Sequence, residues 1–437
     1  MMAAAVLAPP CTSSARSSPS GNVSSSRDRP RPQAPRPLLR AVAVERDSQI
    51  ERARVVEWEG LSTWRQAGID RRRAWGPGDR RSLPTVPAPS TPPSPSPPPP
   101  PSSLINAAIR VLQTPSPELK AKLIHQAWVA YNESLLPLFP PSWDEQQQQE
   151  QQQPAAPPPP LPERPARPPK PLLVETPREV PTPEQAGVSQ NAHLLLNVAH
   201  VELNAIDLAA DTVARFAALR LPKRFYEDFF RVADDESRHL TWCLQRLREL
   251  GVEYGDVPAH DGLWRGCAAS SGDLTARLVV VPCGQESRGL DAGQRLAQRL
   301  VGLGDARSAA VVARIAEEER AHVAVGVAWF ERVCASLDPA ADPAAEFRAR
   351  LLACGCADLA TKRSTFNHEE RQRVGLQRAW YDATEWGGKG SSSASLPAID
   401  AEATDAGLVQ DLRERLAAMV EMEAEAAGGG GGGEGPG

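Results

Sequence analysis

Two Glu-x-x-His pairs, Glu236/His239 and Glu319/His322, constrain this chain more than any other feature. Each follows a lone glutamate, Glu202 and Glu286, by 34 and 33 positions. Residues at i and i+3 share a helix face, so each pair can present a carboxylate and an imidazole to one point. Both intervals suit one long helix turning back on the next. The pattern predicts an all-α fold in which four helices face one another.

The hydrophobic periodicity agrees. One stripe runs Leu195, Val198, Glu202, Ile206, Ala209, Val213 and Phe216 in steps of three and four, as an amphipathic helix requires. The second, opening at Pro222 and closing before Gly251, passes through Tyr226, Phe229, Ala233, Glu236, Cys243 and Leu247. The third carries Leu274, Leu278, Pro282, Glu286, Gly293, Leu296 and Leu300, with a bend expected at Pro282. The fourth carries Val312, Ile315, Glu319, Gly326, Phe330 and Val333, and leaves Glu317 and Glu318 off the stripe, expected in solvent.

Each stripe therefore buries a carboxylate at mid-length. Unpaired buried carboxylates cost several kcal/mol and would repel one another. Two divalent cations remove the conflict, with the four glutamates balancing their charge and two neutral imidazoles completing the shell. One Glu from each of two helices and Glu-x-x-His from the other two is the ligand set of a carboxylate-bridged di-iron or di-manganese bundle. The expected ligands are Glu202, Glu236, His239, Glu286, Glu319 and His322, holding two Fe ions, with two Mn as the alternative.

The halves repeat a second feature. Asp207 and Asp291 each follow the lone glutamate by five positions and are candidates to accept the second ring N–H of the histidines. Residues at i and i+5 do not share a face, so a surface or capping role is the competing expectation. His200 faces away from its stripe, and His193, His260 and His368 have no partner at ligand spacing.

Outside the bundle, composition sets the expectations. The 44 prolines crowd into residues 84–101 and 154–177, around a glutamine tract at 146–153. Such stretches lack the apolar residues that offset ordering entropy. The first 44 residues hold six arginines, many serines and one acid, Asp28, the bias of an organelle transit peptide; the serine content favours the plastid over the mitochondrion. The expected divisions are this segment, a disordered Pro-rich arm at 45–102, a helical preamble at 103–140, a low-complexity insertion at 141–180, the bundle at 188–338, further helices at 339–386 and a flexible tail at 387–437. Net charge is −5, without a dense basic block, so nucleic-acid binding is not indicated. No apolar run approaches the roughly 18 residues of a membrane span. Seven scattered cysteines lack a C-x-x-C pair and suit a reducing compartment.

Several segments together resemble a ferritin-like family known as domain of unknown function 455. They are Ala199 to Asp207 (AHVELNAID), Val232 to His239 (VADDESRH), Gly251 to Asp256 (GVEYGD), His260 to Trp264 (HDGLW), Glu286 to Asp291 (ESRGLD) and Glu318 to His322 (EERAH), with Phe366-Asn367 and Ala379-Trp380-Tyr381 near the end. The resemblance covers about 103 to 385, interrupted by the Gln/Pro tract. It implies a ferritin-like bundle with the same six ligands and names no substrate. After the helix-three proline, Cys283-Gly284 is smaller than the family's usual residue.

The leading functional expectation is an oxidoreductase activating O2 or peroxide, acting on an unknown small substrate with an external electron donor. A metal-handling ferroxidase and a non-catalytic helical interaction module are the alternatives. The loop 252–267 is expected to cover one end of the bundle, with His260, Asp261 and Trp264 packing within it.

Overall fold

The computed structural model describes residues 57–76, 100–141, 161–361, 366–386, 412–413 and 415–416. The expected transit peptide, most of the proline arm, the glutamine tract and the glycine tail lie outside the described residues.

The helices are α1 (Glu59–Gln66), α2 (Leu104–Gln113), α3 (Pro117–Asn132), α4 (Pro183–Ala186), α5 (Gln190–Arg215), α6 (Lys223–Glu249), α7 (Gly262–Ala269), α8 (Leu274–Leu278), α9 (Ser287–Gly302), α10 (Ala306–Leu337), α11 (Pro343–Ala353), α12 (His368–Arg373) and α13 (Arg378–Tyr381). A π-helix, Val279–Glu286, joins α8 to α9. The fold is all-α, as expected. Among the described residues the one exception is a two-residue parallel ribbon pairing Leu173 with Ala259 and Val174 with His260.

Local chemistry sets the helix ends. The Ser189 and Asp305 side chains accept backbone N–H bonds from Ala192 and Ser308 at the starts of α5 and α10. Ser116 caps α3, with Pro117 in its first turn. Gly251, at φ 75°, ends the chain's run through α6 in the left-handed region open to glycine.

Two long hairpins form the centre. α5 packs on α6; α9 and the π-helix pack on α10; α6 meets α10 across the middle. The preamble helices lie outside this core, α2 on α5 and α3 on α6. Pro282 is the expected break in the third helix. Without an N–H it cannot close an ordinary α turn, and the chain adopts the wider π form. Gly326 of α10 makes room for it, since a Cβ there would fall 2.4 Å from the Pro282 Cβ.

Ordered residues also lie in the stretches assigned to the arm, the insertion and the tail. Residues 57–76 carry α1, whose Arg65 is clamped between Asp228 and Glu57 at 2.7 and 2.8 Å. Charged composition hid this helix because its partners are ions supplied by α6. Within the expected insertion, residues 161–180 place Arg167 against Asp207 and Asn204 and pair a strand with the 252–267 loop. Near the C-terminus, Leu412 and Leu416 are buried, and Arg415 donates to the Ser336 carbonyl at 2.6 Å. Trp264 is buried among Leu208, Cys267 and Val281, as a packing residue.

Candidate metal centre

The buried stripes of α5, α6 and α10 bring Glu202, Glu236, His239 and Glu319 together. One ligand atom from each lies within 4.8 Å of the others. His239 Nδ1 is 3.3 Å from Glu202 Oε2 and 3.2 Å from Glu236 Oε2. His322 Nδ1 is 2.7 Å from Glu236 Oε1 and 3.3 Å from Glu319 Oε2. Glu236 thus stands between the two imidazoles. Glu286, the sixth expected ligand, ends the π-helix, is partly exposed, and falls outside the tight cluster. It remains within the electrostatic reach of Glu319, Glu236 and Glu202.

The cluster is electrostatically unfinished. Burial first, then the neighbouring carboxylates, pushes the Glu202, Glu286 and Glu319 carboxyls above the usual carboxylate range. Burial also opposes ionisation of Glu236, but the His322 and His239 imidazoles outweigh it and hold that group down. The same carboxylates overcome burial at His239 and His322 and raise both rings. Even so, Glu202 Oε2, Glu236 Oε1, Glu319 Oε2 and both ring nitrogens of His322 are buried without a hydrogen-bond partner. Each such orphan costs about 1–3 kcal/mol. Oxygen and imidazole donors facing one another, several unsatisfied, could hold a divalent metal ion.

The far sides of the imidazoles are held by residues not expected there. His239 Nε2 is 2.7 Å from Glu318 Oε2, and His322 Nε2 is 3.5 Å from Asp235 Oδ2. Asp235 directly precedes Glu236, and Glu318 directly precedes Glu319. Each Glu-x-x-His helix therefore places an acid on the far side of the other's imidazole, hydrogen-bonded at His239 and only at ion-pair distance at His322. This corrects the expectation of a solvated Glu318. Burial would raise the Glu318 carboxyl, but His239 and Arg238 hold it down to about 2. It also corrects the aspartates at i+5. Asp207 is buried against Lys120 at 2.5 Å and against Arg167, and Asp291 accepts from Arg371 at 2.7 and 2.8 Å. Both face cations of the flanking segments rather than the histidines, as the helical period requires. The signal for Asp235 and Glu318 was present in the repeated acidic runs Asp234-Asp235-Glu236 and Glu317-Glu318-Glu319.

Trp64 was also missed. Its indole N–H donates to Asp235 Oδ2 at 2.8 Å, and its ring stands edge-on to His322 with centroids 6.4 Å apart. Nothing in the sequence links α1 to α6. His200, by contrast, faces away as expected, its ring nitrogens meeting the Tyr254 hydroxyl and the His260 carbonyl at 2.8 and 3.2 Å.

Residues 113–382 match the family described as protein of unknown function (DUF455). The chain belongs to the DUF455 family. The family match contains all six expected ligands together with Asp235 and Glu318, whereas α1 and Trp64 precede it. The chain is also similar to an uncharacterized protein of Haemophilus influenzae, 36% identical over 170 residues, 38% of this chain and 59% of that protein. It is 30% identical over 166 residues to a 3-demethoxyubiquinol 3-hydroxylase of Stutzerimonas stutzeri, 36% of this chain and 71% of that protein. No solved structure matches.

Acids that orient metal-binding imidazoles set ring angle and basicity, and their loss commonly weakens metal binding 10–100-fold. Glu318→Gln is expected to weaken metal binding by about that factor with the fold intact. Competition against a chromogenic chelator, beside a circular dichroism spectrum, measures it. Unchanged affinity would show that the Glu318–His239 contact is incidental.

Proposed function

We propose that this DUF455 member is a ferritin-like di-iron carboxylate oxidoreductase that uses O2 or peroxide on a small substrate. The observation that carries the reading is the buried Glu/His cluster with unsatisfied carboxylate and imidazole atoms. A soluble fold rarely keeps so many orphaned charges in its core without a ligand. Similarity to a protein named as a hydroxylase supports the oxidative reading. Among the described residues no helix is long and apolar enough to cross a membrane.

Glu202, Glu236, His239, Glu319 and His322 would hold the ions, and Glu286 would join them from the end of the π-helix. Bound iron supplies redox chemistry toward O2 or peroxide. The chain fixes the geometry around it. Glu236 lies between both imidazoles, where one carboxylate can serve two cations. Glu318 holds the His239 imidazole plane, and Asp235 faces the far nitrogen of His322. Burial keeps water from most of the ring of donors, which strengthens each charge interaction there. Glu286, without a hydrogen-bonding partner among the described residues, is the ligand freest to change its position. Reducing equivalents would come from an external donor.

Iron-loaded protein exposed to O2 tests this. The reading expects oxidation of two ferrous ions per chain, with ferric absorption that is absent from Glu236→Ala. Two bound manganese ions and peroxide breakdown would replace it with a catalase-type reading. Metal binding without any oxidation would leave a structural site.

A further inference from the structure

We propose that Gly289 is a positioning residue for the metal centre: its missing side chain lets Glu319 take its place as a ligand, so that the ion on the His322 side depends on a bare stretch of α9 backbone. The inference rests on the di-iron reading above. A Cβ at Gly289 would fall 3.0 Å from Glu319 Cγ, 3.4 Å from Cδ and 3.6 Å from Cβ. The aliphatic stem of that ligand therefore lies against the α9 backbone. Carbon atoms in ordinary contact are about 3.5–4.0 Å apart. An alanine at 289 would have to push the stem aside by a few tenths of an ångström. Metal–ligand distances tolerate a misfit of only about 0.2 Å.

The surroundings direct that push onto the side chain. α10 is anchored on both sides of Glu319: Glu318 meets His239 Nε2 at 2.7 Å, and Arg320 donates to Glu370 at 2.6 Å. α9 is anchored by Asp291, which accepts from Arg371 at 2.7 and 2.8 Å. Neither backbone is free to retreat. Glu319 itself is 5% exposed, and its Oε2 is buried without a hydrogen-bond partner, 3.3 Å from His322 Nδ1. The carboxylate has no bond of its own that would restore its place once the stem is moved.

The helix gives no other reason for glycine here. Gly289 has no left-handed backbone angle, and alanine is the better helix former. The other glycines of this seam answer to packing. A Cβ at Gly293 would fall 2.3 Å from the Ala316 Cβ, and one at Gly326 would meet Pro282. Of the glycines on α9 and α10, Gly289 alone abuts an expected ligand. The two ions are therefore affected unequally. Glu202 and His239 come from α5 and α6 and face each other at 3.3 Å, away from this contact.

The test is manganous titration of the full chain, read by elemental analysis and electron paramagnetic resonance. An isolated manganous ion gives a sharp hyperfine-split spectrum, and two adjacent ions give a broad coupled one. Wild type is expected to bind two ions with the coupled spectrum. Gly289→Ala is expected to keep the first ion at wild-type affinity, to bind the second about 10–100-fold more weakly, and to show the isolated-ion spectrum. Gly293→Ala with Ala316→Gly, which moves one methyl across the seam, should keep both ions. A coupled spectrum with wild-type affinity in Gly289→Ala overturns the proposal and leaves the two-ion reading standing. Loss of the second ion from the methyl-swap variant as well overturns it in favour of general seam packing. Wild-type protein that binds no ion overturns both readings. Metal-free thermal melts decide independently, even if Gly289→Ala folds poorly. Gly289→Ala should lower Tm with Glu319 present and cause no loss in a Glu319→Ala background. An equal loss in both backgrounds would show that the methyl does not meet Glu319.

Discussion

Metal-free protein is expected to lose stability as pH rises from about 5 to about 8, and divalent metal is expected to restore it. The sign follows from the cluster. Glu202, Glu286 and Glu319 have carboxyls raised above the ordinary 4.5, and His239 and His322 have rings raised above 6.5. A raised group contributes stability below its unfolded value and loses it as pH climbs through the folded value. Glu236, Asp235 and Glu318 are lowered, so their contribution is lost only in the acid range, as pH falls through their folded values. The metal-free protein should therefore be most stable near the acid end of the window. Metal competes with those protons, so its stabilisation grows with pH. At a hundredfold excess over Kd it amounts to about 2.7 kcal/mol, or roughly 5–10 °C in Tm for a domain of this size. Thermal melts across pH, with and without metal, measure it. A metal-free Tm that rises over this range, with no shift on adding metal, would show that these groups do not face one another in solution.

Asp207→Leu is expected to destabilise the fold by about 3–5 kcal/mol without changing metal stoichiometry. Lys120 is fully buried, and among the described residues its ammonium reaches, besides Asp207, the Val111 carbonyl at 2.9 Å. Removing the carboxylate leaves that charge desolvated and joins α2 and α3 less firmly to α5. The double variant Asp207→Leu with Lys120→Met removes the fully buried pair and should recover part of the loss, the remainder falling on Arg167, which keeps its bond to Asn204. Denaturant unfolding of the two variants separates the cases. If metal binding falls along with stability in the single variant but returns in the double, Asp207 acts on the centre through the fold. If binding is lost in both at unchanged stability, Asp207 belongs to the metal site after all.

These two results divide what the sequence could and could not convey. The bundle helices were legible because each carries its own periodic stripe, and a charge at mid-stripe has few structural explanations. Glu202, Glu236, His239, Glu319 and His322 were legible for that reason, and the structure brings them together. Glu286 was placed on the right stripe, but the π-helix starting before Pro282 alters the local turn, and a 3.6-residue period no longer fixes where its carboxylate points. For Asp207 and Asp291 the repeat and the helical period pointed different ways, and their angular position turns them toward Lys120 and Arg371. Glu318 looked like a solvated acid because the cation and imidazole that bury it lie about 80 residues away; Asp235 carried no expectation of its own. Trp64 was not legible at all. Its contact with Asp235 spans 171 residues and depends on ion pairs that fix α1, which no local pattern encodes.

Whether the cluster holds two ions is decided by anaerobic ferrous titration of the full chain followed by elemental analysis after gel filtration. Two ions retained per chain are expected, with Glu236→Ala folded and retaining none. Folded wild-type protein that retains no metal at saturating ferrous or manganous ion would contradict that expectation.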